Sequence, residues 1–403
     1  MSRKRRSEPK RAHPRPRQRL LYVINDLTVG GAQRALLSQA AGLDRERYDV
    51  HVASLEIFAE GSLTTEFEAA DITVHTLAKA GEPFGMGPLR LRACIAKLQP
   101  DIVHTHLAAA GIAGRLAARS CGLPHVVSTL HNVSDWTERR GHPLRVLDRA
   151  TLRLADRICA VSDAVGLAVA TVAPHLSART LTVRNGVSLE DFRVTEHERE
   201  NARARMGFAP ADFVIATVAR LEPYKGIETL LRAAAAAATK APMLQVLVVG
   251  DGSDRPRLEC LAESLGIAAW TTFTGTRDDV PRMLASADVF AMPSHTEGLG
   301  VAAIEALAAG LPVLASRVGG LPEIIEDTVC GRLLRHNEIE DWVDALTAAA
   351  HRPPSLQRWR DAATKRAAEF SIEASVAELE RLYDSLSAPE PRLKTAPARQ
   401  KAA

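Results

Sequence analysis

Short apolar runs alternate with helical patterns over most of this chain. Twelve of the runs predict strands, at residues 20–24, 49–54, 72–76, 101–104, 125–129, 157–161, 180–184, 213–219, 245–249, 271–274, 288–292 and 312–315. They are rich in Val and Ile and nearly continuous, which is typical of strands buried on both faces. Segments such as 32–43, 89–98, 227–239 and 301–309 repeat apolar residues at helical spacing instead. This β-α-β order predicts parallel sheets.

The strands fall into two series, separated near residues 185–210, where NGVSLEDF leads into a charged helix at 195–206. We therefore predict an α/β protein of two doubly wound domains, residues 20–190 and 191–371, followed by a helix at 372–387. Ligands of such sheets bind beyond the carboxyl ends of the strands, so a cleft between the domains is the expected site. Residues 1–19 and 388–403 lack apolar periodicity and are predicted to be disordered tails.

Composition agrees with a globular protein and locates the basic charge. The chain has 403 residues, 46% of them hydrophobic and 25% charged, a length that suggests two domains. Residues 1–19 carry +8, from nine Lys and Arg and one Glu, so the remaining 384 residues carry −5 of the total +3. A solvated tail and a contact with anionic lipid both fit this segment. Nucleic acid is not an expected partner, because no aromatic residue interleaves the tail and no nucleic-acid motif follows.

Cysteine usage and hydropathy indicate the compartment. The five cysteines are far apart, odd in number and form no C-x-x-C, which favours a reducing compartment over a disulfide framework or a zinc ribbon. No run of 18 apolar residues is present, and the basic N-terminus lacks the apolar stretch of a secretory signal. We predict a cytoplasmic protein.

Two loops at predicted strand ends suit an anionic ligand. The first strand leads into LTVGGAQR, where Gly30 and Gly31 open a helix whose N-terminal amides favour an anion, although a plain tight turn fits equally well. The stretch VARLEPYKG places Arg220 and Lys225 beyond the first strand of the second domain. Two fixed cations there suit a diphosphate, and two solvated surface cations are the alternative.

A third loop, in PSHTEGLGVAAIEALAAGLPVLAS, combines carboxylates with a helix N-terminus. Glu297 precedes the helix and Glu305 lies about one turn inside it, so both could accept hydrogen bonds from sugar or ribose hydroxyls. Eight residues of helix would separate them by about 12 Å, more than a glycosidase acid/base pair allows. A hydroxyl-binding role therefore fits them better than hydrolysis.

Together these stretches resemble the retaining glycosyltransferases of family 4. The likeness rests on EGLGVAAIE, the GGA loop and ARLEPYKG, supported by DIVHTHLAAAGIAGRLAA, ADRICAVSDAV, VRNGV, VGDGS, FTGTRDDV and ASRVGGLPEII in matching order over residues 20–386. It implies GT-B architecture, with two Rossmann-like parallel-sheet domains facing across a cleft. It also implies that the helix at 372–387 crosses back onto the first domain.

The resemblance assigns roles to individual residues. Gly30 and Gly31 would approach the donor diphosphate, Arg220 and Lys225 would neutralise it, Glu297 would hold sugar hydroxyls and Glu305 the ribose. His131, in VVSTLHN, matches the family's active-site histidine beside the transferred sugar, and Arg277 lies where the family contacts the base. The amides that would support the sugar and phosphate belong to the loop and helix start, namely Gly298, Leu299, Gly300 and Val301.

The pair His104 and His106 could begin a metal site, but the chain offers no matching series of further ligands. The resemblance implies that no cofactor or divalent ion is needed, because cationic side chains and helix dipoles replace it. We therefore expect metal-independent activity.

The implied activity is transfer of a hexosyl unit from a nucleotide-diphosphate sugar, with UDP the favoured nucleotide, to a glycan or lipid-linked acceptor in cell-envelope polysaccharide or glycolipid synthesis. The acceptor side offers TLHNVSDWTERRGHPLR, either a solvated loop or an acceptor- or membrane-facing edge, through Trp136, Arg139, Arg140 and Arg145. Two alternatives are a sugar-nucleotide epimerase of the same architecture and a non-catalytic nucleotide-sugar-binding scaffold.

Overall fold

The computed structural model describes residues 17–56, 62–78, 86–133, 143–351 and 354–387. Within this part of the chain, strands form a seven-stranded and a six-stranded sheet, both parallel throughout. The interior strands are buried along most of their length, as their continuous apolar sequences predict. The predicted fold class, two parallel-sheet α/β domains, is confirmed.

The first sheet has the order β3-β2-β1-β4-β5-β6-β7. Its strands are β1 (Gln18–Ile24), β2 (Tyr48–Ser54), β3 (Thr73–Thr76), β4 (Ile102–His106), β5 (His125–Leu130), β6 (Arg157–Ala160) and β7 (Thr180–Thr182). The helices that accompany it are α1 (Gly31–Gly42), α2 (Thr64–Ala69), α3 (Met86–Leu98), α4 (Ala108–Ser120), α5 (Pro143–Leu152) and α6 (Asp163–Val172).

The second sheet has the order β10-β9-β8-β11-β12-β13. Its strands are β8 (Phe213–Val218), β9 (Leu244–Val249), β10 (Thr271–Phe273), β11 (Val289–Met292), β12 (Val313–Ser316) and β13 (Gly331–Leu334). The remaining helices are α7 (Glu196–Met206), α8 (Ile227–Ala237), α9 (Arg255–Ser264), α10 (Val280–Ala285), α11 (Val301–Ala308), α12 (Leu321–Ile324), α13 (Ile339–Ala350), α14 (Pro354–Ala367) and α15 (Ile372–Ser387).

Helix α15 packs against α1 of the first sheet. Its buried residues Val376, Leu379 and Tyr383 belong to the same hydrophobic cluster as the residues of β1 and β2. The Tyr383 hydroxyl is hydrogen-bonded to that of Tyr22, at 2.9 Å. The chain therefore returns to the first sheet after it has completed the second.

One boundary and one strand differ from the sequence-based expectation. Strand β1 begins at Gln18, so the predicted tail at 1–19 is two residues too long. Arg19 is part of the strand because it pairs with Asp49 of β2. Its backbone N–H also donates to Asp101, and its guanidinium donates to Asp49 and to the Leu98 carbonyl. Strand β13 was not predicted. The disordered tails predicted at residues 1–16 and 388–403 lie outside the described residues.

The two units meet along an apolar seam beside the carboxyl ends of β5 and β6. Val161 and Val165 of the first unit share one hydrophobic cluster with Leu299 and Leu321 of the second. This seam fixes the position of the loop that precedes α11. Within the described residues, no helix combines the length and the apolar character that a membrane crossing requires.

Candidate functional site

All the predicted site residues except His131 and Arg277 follow the strands at which each sheet reverses its order. In the first sheet this point lies between β1 and β4, and in the second between β8 and β11. Gly30 and Gly31 follow β1, Arg220 and Lys225 follow β8, and Glu297 follows β11. Such switch points are where doubly wound sheets bind their ligands. The chain thus brings its candidate cations, carboxylates and glycines to the facing edges of two sheets.

Glu297 is anchored by one of its two carboxylate oxygens. Lys225 Nζ lies 2.6 Å from Glu297 Oε1, and the Ser294 hydroxyl donates to the same oxygen at 2.7 Å. Glu297 is only 7% exposed, so this burial is compensated by the ion pair and the hydrogen bond. The Oε2 atom makes no hydrogen bond to a described residue. It remains the oxygen with which Glu297 can accept a ligand hydroxyl.

Arg220 reaches across the cleft to the glycine loop. A β-carbon built on Gly30 would lie 2.8 Å from Arg220 Nη2 and 2.6 Å from Gln33 Oε1. A β-carbon on Gly31 would meet nothing within 4 Å. The Arg220 guanidinium is exposed and makes no ion pair with a described residue. An exposed arginine facing helix α1, whose first turn has no acidic side chain, forms an electropositive edge.

The loop before α11 is clamped against the first unit. A β-carbon on Gly298 would lie 1.9 Å from the His131 carbonyl oxygen, so only glycine fits there. The Ser162 hydroxyl, fully buried, donates to the Gly298 carbonyl at 2.6 Å. Within the described part of the chain, the N–H groups of Leu299, Gly300 and Val301 donate to no other residue. Three free donors at a helix N-terminus suit an anionic oxygen.

Glu305 is a partly buried carboxyl in the second turn of α11. Burial raises its pKa to about 7, against the opposing effect of Arg34 in the first turn of α1 across the cleft. Among the described residues it has no hydrogen-bond partner. An unpaired, half-desolvated carboxyl costs stability, and such groups are found where a ligand supplies the missing partner.

His131 follows β5 and faces His106 at the end of the neighbouring strand β4. Their rings are joined by a hydrogen bond of 2.9 Å between His131 Nε2 and His106 Nδ1. Burial lowers the pKa of His131 to about 4 and that of His106 well below its usual range, where His104 and His131 also oppose a charge. Both rings are therefore neutral near pH 7.

His104, the other half of the H-x-H motif, is fully buried within β4. Its Nδ1 and Nε2 atoms are 2.7 Å from the Tyr383 and Thr129 hydroxyls, respectively, and burial lowers its pKa to about 3. The described residues include no group of three or more His, Cys, Asp or Glu side chains placed to hold a metal ion. In this structure His104 is a packed core residue.

Arg277 is not brought together with the other candidates by any contact among the described residues. Its exposed guanidinium is bidentate to Asp279, with both distances 2.8 Å. It lines a shallow pocket with Asp278, Pro281 and Arg282 beyond β10. On the acceptor side, Trp136, Arg139 and Arg140 lie outside the described residues, and Arg145 belongs to α5.

Several residues at the site carry no role in the sequence-based assignment. Ser162 and Ser294 each orient a predicted site residue, and Arg34 faces Glu305. Glu323 accepts hydrogen bonds from the Asp163 and Ala164 amides at the start of α6. The available signals were the motifs VSDAV, PSHTEG, GGAQR and GGLPE, but nothing local in them identifies a partner.

Comparison with known proteins agrees with this geometry. Two family models match, Glycosyltransferase Family 4 over residues 29–191 and Glycosyl transferases group 1 over residues 198–366. The D-inositol 3-phosphate glycosyltransferase of Saccharomonospora viridis is 33% identical over 377 residues, covering 85% of this chain and 86% of that protein. The protein of the same name from Mycobacterium sp. (strain KMS) is 34% identical over 302 residues, covering 72% and 67%.

Among solved structures, Anabaena HepE in complex with UDP-glucose superposes with a TM-score of 0.81. The two chains are 22% identical, and the alignment covers 91% of this chain and 99% of HepE. The expected GT-B architecture is therefore confirmed.

Proposed function

The chain belongs to the group 1 glycosyltransferases, and from this premise we propose that it transfers a hexosyl unit from a UDP-linked sugar, with retention, to a glycan or lipid-linked acceptor. The observation that carries the proposal is the cation–carboxylate set of Arg220, Lys225 and Glu297 opposite the Gly30–Gly31 loop. The curated relatives are named for D-inositol 3-phosphate, so a phosphorylated cyclitol is a second acceptor candidate. Synthesis of cell-envelope polysaccharide or glycolipid is the proposed context.

Charge placement supports departure of a nucleoside diphosphate. The Arg220 guanidinium forms no ion pair with a described residue, and the amides of Leu299, Gly300 and Val301 donate to none. Donors fixed before the reaction stabilise the charge that develops on the leaving diphosphate without reorganisation. Lys225 is shared, since its ammonium also neutralises Glu297.

Two carboxylates are assigned to hydroxyl groups of the donor. In the proposal, Glu297 Oε2 accepts from the transferred sugar and Glu305 from the ribose. His131 lies beside the sugar. By resemblance to the family, the acceptor attacks from the face that the diphosphate leaves, and no side chain acts as a covalent nucleophile. We propose that no metal participates, since the cations and the α11 terminus supply the positive charge.

A donor panel tests the function. The protein is incubated with UDP-, GDP- and ADP-linked hexoses, with membrane extract or D-inositol 3-phosphate as acceptor, and nucleotide release and sugar products are followed. Acceptor-dependent release of UDP that survives excess EDTA is the expected result. Release of a free or isomerised sugar without acceptor would instead identify an epimerase. Binding without release in every arm would identify a scaffold.

Contact with an anionic membrane surface is proposed as an accompanying property, on the cytoplasmic side that the cysteines favour. Two features support it. Residues 2–16 carry +6, and α5 exposes the apolar side chains Leu144, Val146 and Leu147 (41%, 52% and 47%). Apolar insertion and attraction of basic charge to anionic lipid are the two contacts by which peripheral proteins bind a bilayer.

Vesicle sedimentation checks the membrane proposal. Full-length protein is expected to bind phosphatidylserine vesicles at low salt and to release them at high salt, since screening limits such contacts to about 8 Å at physiological ionic strength. Deleting residues 2–16 should reduce binding without changing turnover on a soluble acceptor. The deletion stops before Gln18, where β1 begins. Equal binding to neutral vesicles, or none at low salt, would overturn the proposal.

A further inference from the structure

The H-x-H motif of β4 is only half explained by packing. His104 uses both ring nitrogens in hydrogen bonds to hydroxyl groups. His106, also buried, uses only Nδ1, which faces His131, while its Nε2 atom is buried without a partner. A buried polar atom without a partner costs free energy. The polar contact of the His106 side chain is therefore the one that its Nδ1 atom makes with His131.

Whether His106 Nδ1 carries a proton determines which ring nitrogen of His131 is protonated. A hydrogen bond between two neutral imidazoles needs one N–H and one bare nitrogen, and each ring carries a single proton. If His106 carried its proton on Nε2, a buried N–H donor would be left without an acceptor, which among backbone groups is rarer than an acceptor left without a donor. The arrangement with fewer penalties puts the His106 proton on Nδ1.

From this geometry we infer that His106 is a positioning residue for His131. The His106 Nδ1–H donates to His131 Nε2, so the single proton of His131 resides on Nδ1. His131 Nδ1 makes no hydrogen bond to a described residue, and the residue as a whole is partly exposed. His131 therefore presents an N–H donor toward an oxygen of the transferred sugar. The inference rests on the proposed function for the identity of that sugar, but not for the state of the two rings.

The surroundings keep this arrangement fixed. The His106 ring lies 4.6 Å from that of His104 and 5.6 Å from that of Tyr22, measured between centroids. The His131 backbone is held against Gly298 of the second unit. His106 therefore cannot turn without repacking, and a fixed second residue is what orients a ring for catalysis.

The chain contains a matched control. His51 on β2 and His75 on β3 form a second histidine pair, with Nδ1 of His51 3.1 Å from Nε2 of His75. This pair lies on neighbouring strands of the same sheet, away from the strands at its switch point. His51→Leu therefore makes the same substitution as His106→Leu without touching the candidate site, and it additionally removes the 3.4 Å contact between His51 Nε2 and Asp49.

The test has a spectroscopic arm and a kinetic arm. Protein labelled with ¹⁵N in its histidine rings is examined by long-range ¹H–¹⁵N correlation, and His131 is assigned by loss of its signals in His131→Ala. We expect a protonated Nδ1 and a bare Nε2 for His131 in wild type and in His51→Leu. In His106→Leu the Nε2–H form should appear.

Kinetically, His106→Leu should lower kcat about tenfold, as expected for one misdirected hydrogen bond. The donor KM and UDP affinity should stay unchanged, because the contact is made to the reacting sugar. His106→Asn, which keeps a donor near the δ position, should restore part of the rate and covers the case in which the leucine variant fails to fold.

A wild-type His131 protonated on Nε2, or a His106→Leu variant with wild-type kcat and wild-type His131 signals, would overturn the inference. If no nucleotide-sugar is turned over, the proposed function fails. The tautomer of wild-type His131 then still decides whether His106 sets its proton.

Discussion

At the residue scale, the two cations of the site differ, because one is paired with a carboxylate and the other with none that the structure describes. Lys225 is partly buried and neutralises Glu297, whereas Arg220 is exposed and pairs with no described carboxylate. The two residues therefore should not behave alike when they are replaced, although they look equivalent in the sequence.

Arg220→Ala should weaken binding of UDP by about 1.5–3 kcal/mol, the value of one charge-assisted contact. The melting temperature should not change, because the guanidinium has no partner among the described residues to leave behind. Calorimetric titration with UDP measures this effect. Lys240→Ala is the control, since Lys240 is exposed beyond the far end of α8. Equal UDP affinity in wild type and Arg220→Ala would contradict the diphosphate assignment.

Glu297→Gln should separate rate from affinity. Glutamine keeps an acceptor for Ser294 but loses the charge that holds Lys225, and it weakens contact with a sugar whose ring gains positive charge as the bond breaks. We expect kcat to fall by about 10–100-fold, while UDP affinity is unchanged or tighter because Lys225 is released. Steady-state kinetics with calorimetry decide this. A variant that loses UDP binding and keeps its kcat would show that the role is misassigned.

Glu305→Gln should raise the stability of the protein and weaken its binding of the donor. The folded-state pKa of about 7 exceeds the usual 4.5, so the folded protein holds a proton that the unfolded chain releases between about pH 4.5 and 7. Stability is therefore lost as the pH rises through this window, by at most roughly 3 kcal/mol above pH 7.

The Gln variant should melt higher than wild type at pH 8, by about 2–5 °C, and equally at pH 4. It should also raise the donor KM, because the ribose contact is weakened. Scanning calorimetry at the two pH values measures the first effect. If Glu305 instead stabilises its helix, the variant will melt lower at pH 8 and its donor KM will not change.

At the element scale, the start of α1 and the loop that leads into α11 each contain a glycine, and the two glycines differ in their physical surroundings. Gly298 is required by the protein itself, because its neighbour is the His131 carbonyl. Gly31, at the start of α1, has open space on the side where a β-carbon would project. No atom of the described residues would clash with a β-carbon at Gly31. A bound ligand is therefore the remaining steric reason for a glycine at this position.

Gly31→Ala should therefore leave the melting temperature unchanged while weakening UDP and donor binding several-fold, since a methyl group would occupy the space that the diphosphate approaches. Thermal melts and UDP titration measure the two quantities. Gly166→Ala is the matched control, because a β-carbon on this α6 residue would make only ordinary contacts, 3.7 Å from Ala160 Cβ and 4.0 Å from Thr182 Oγ1. Wild-type affinity in Gly31→Ala would mean that the loop does not contact the donor.

Element prediction failed where local pattern was weakest. The twelve predicted strands are all present, with ends that shift by one or two residues. Strand β13, with the sequence GRLL, was missed because it is short and contains a glycine and an exposed Arg332. It forms only because it pairs with β12 along its whole length. Pairing with a neighbour, not propensity, makes this segment a strand.

At the scale of the whole molecule, Glu323 makes polar contacts between the two units in addition to the apolar seam. Its carboxylate, in α12 of the second unit, accepts from two amides at the start of α6 and pairs with Arg184 at 3.0 Å. A carboxylate at a helix N-terminus is stabilising. This contact lies beside the Ser162–Gly298 hydrogen bond and so holds the loop before α11 in place.

Glu323→Ala should loosen the two units without unfolding either one. We expect a larger radius of gyration in solution scattering and a stability loss of about 1.5–3 kcal/mol for the charged hydrogen bonds removed. Turnover should fall because Gly298 is no longer held against His131. Glu190→Ala, which removes an exposed pair with Arg193, should change neither property. Unchanged scattering and kcat in Glu323→Ala would refute the role of this contact.

The candidate site was foreseeable in part. Paired glycines, paired cations and a carboxylate before a helix all follow predicted strands, and parallel sheets bring strand ends to one edge. Roles carried over from the family resemblance remain predictions, among them those of His131 and Arg277. The partnership of Lys225 with Glu297 was not foreseen, because the two residues are 72 positions apart and no local pattern links them.

What the sequence by itself determined is every strand except β13, and the edge at which the loops gather. Burial of strands on both faces and the β-α-β order follow from local apolar patterns, so the sequence predicts them without knowledge of the tertiary structure. The tertiary structure alone decided which side chains meet, as between Glu323 and the start of α6, some 160 positions apart. It also decided which groups stay unpaired, such as Glu305. Both depend on how closely the two sheets approach, and that distance is set by packing across the seam rather than by any segment of the chain.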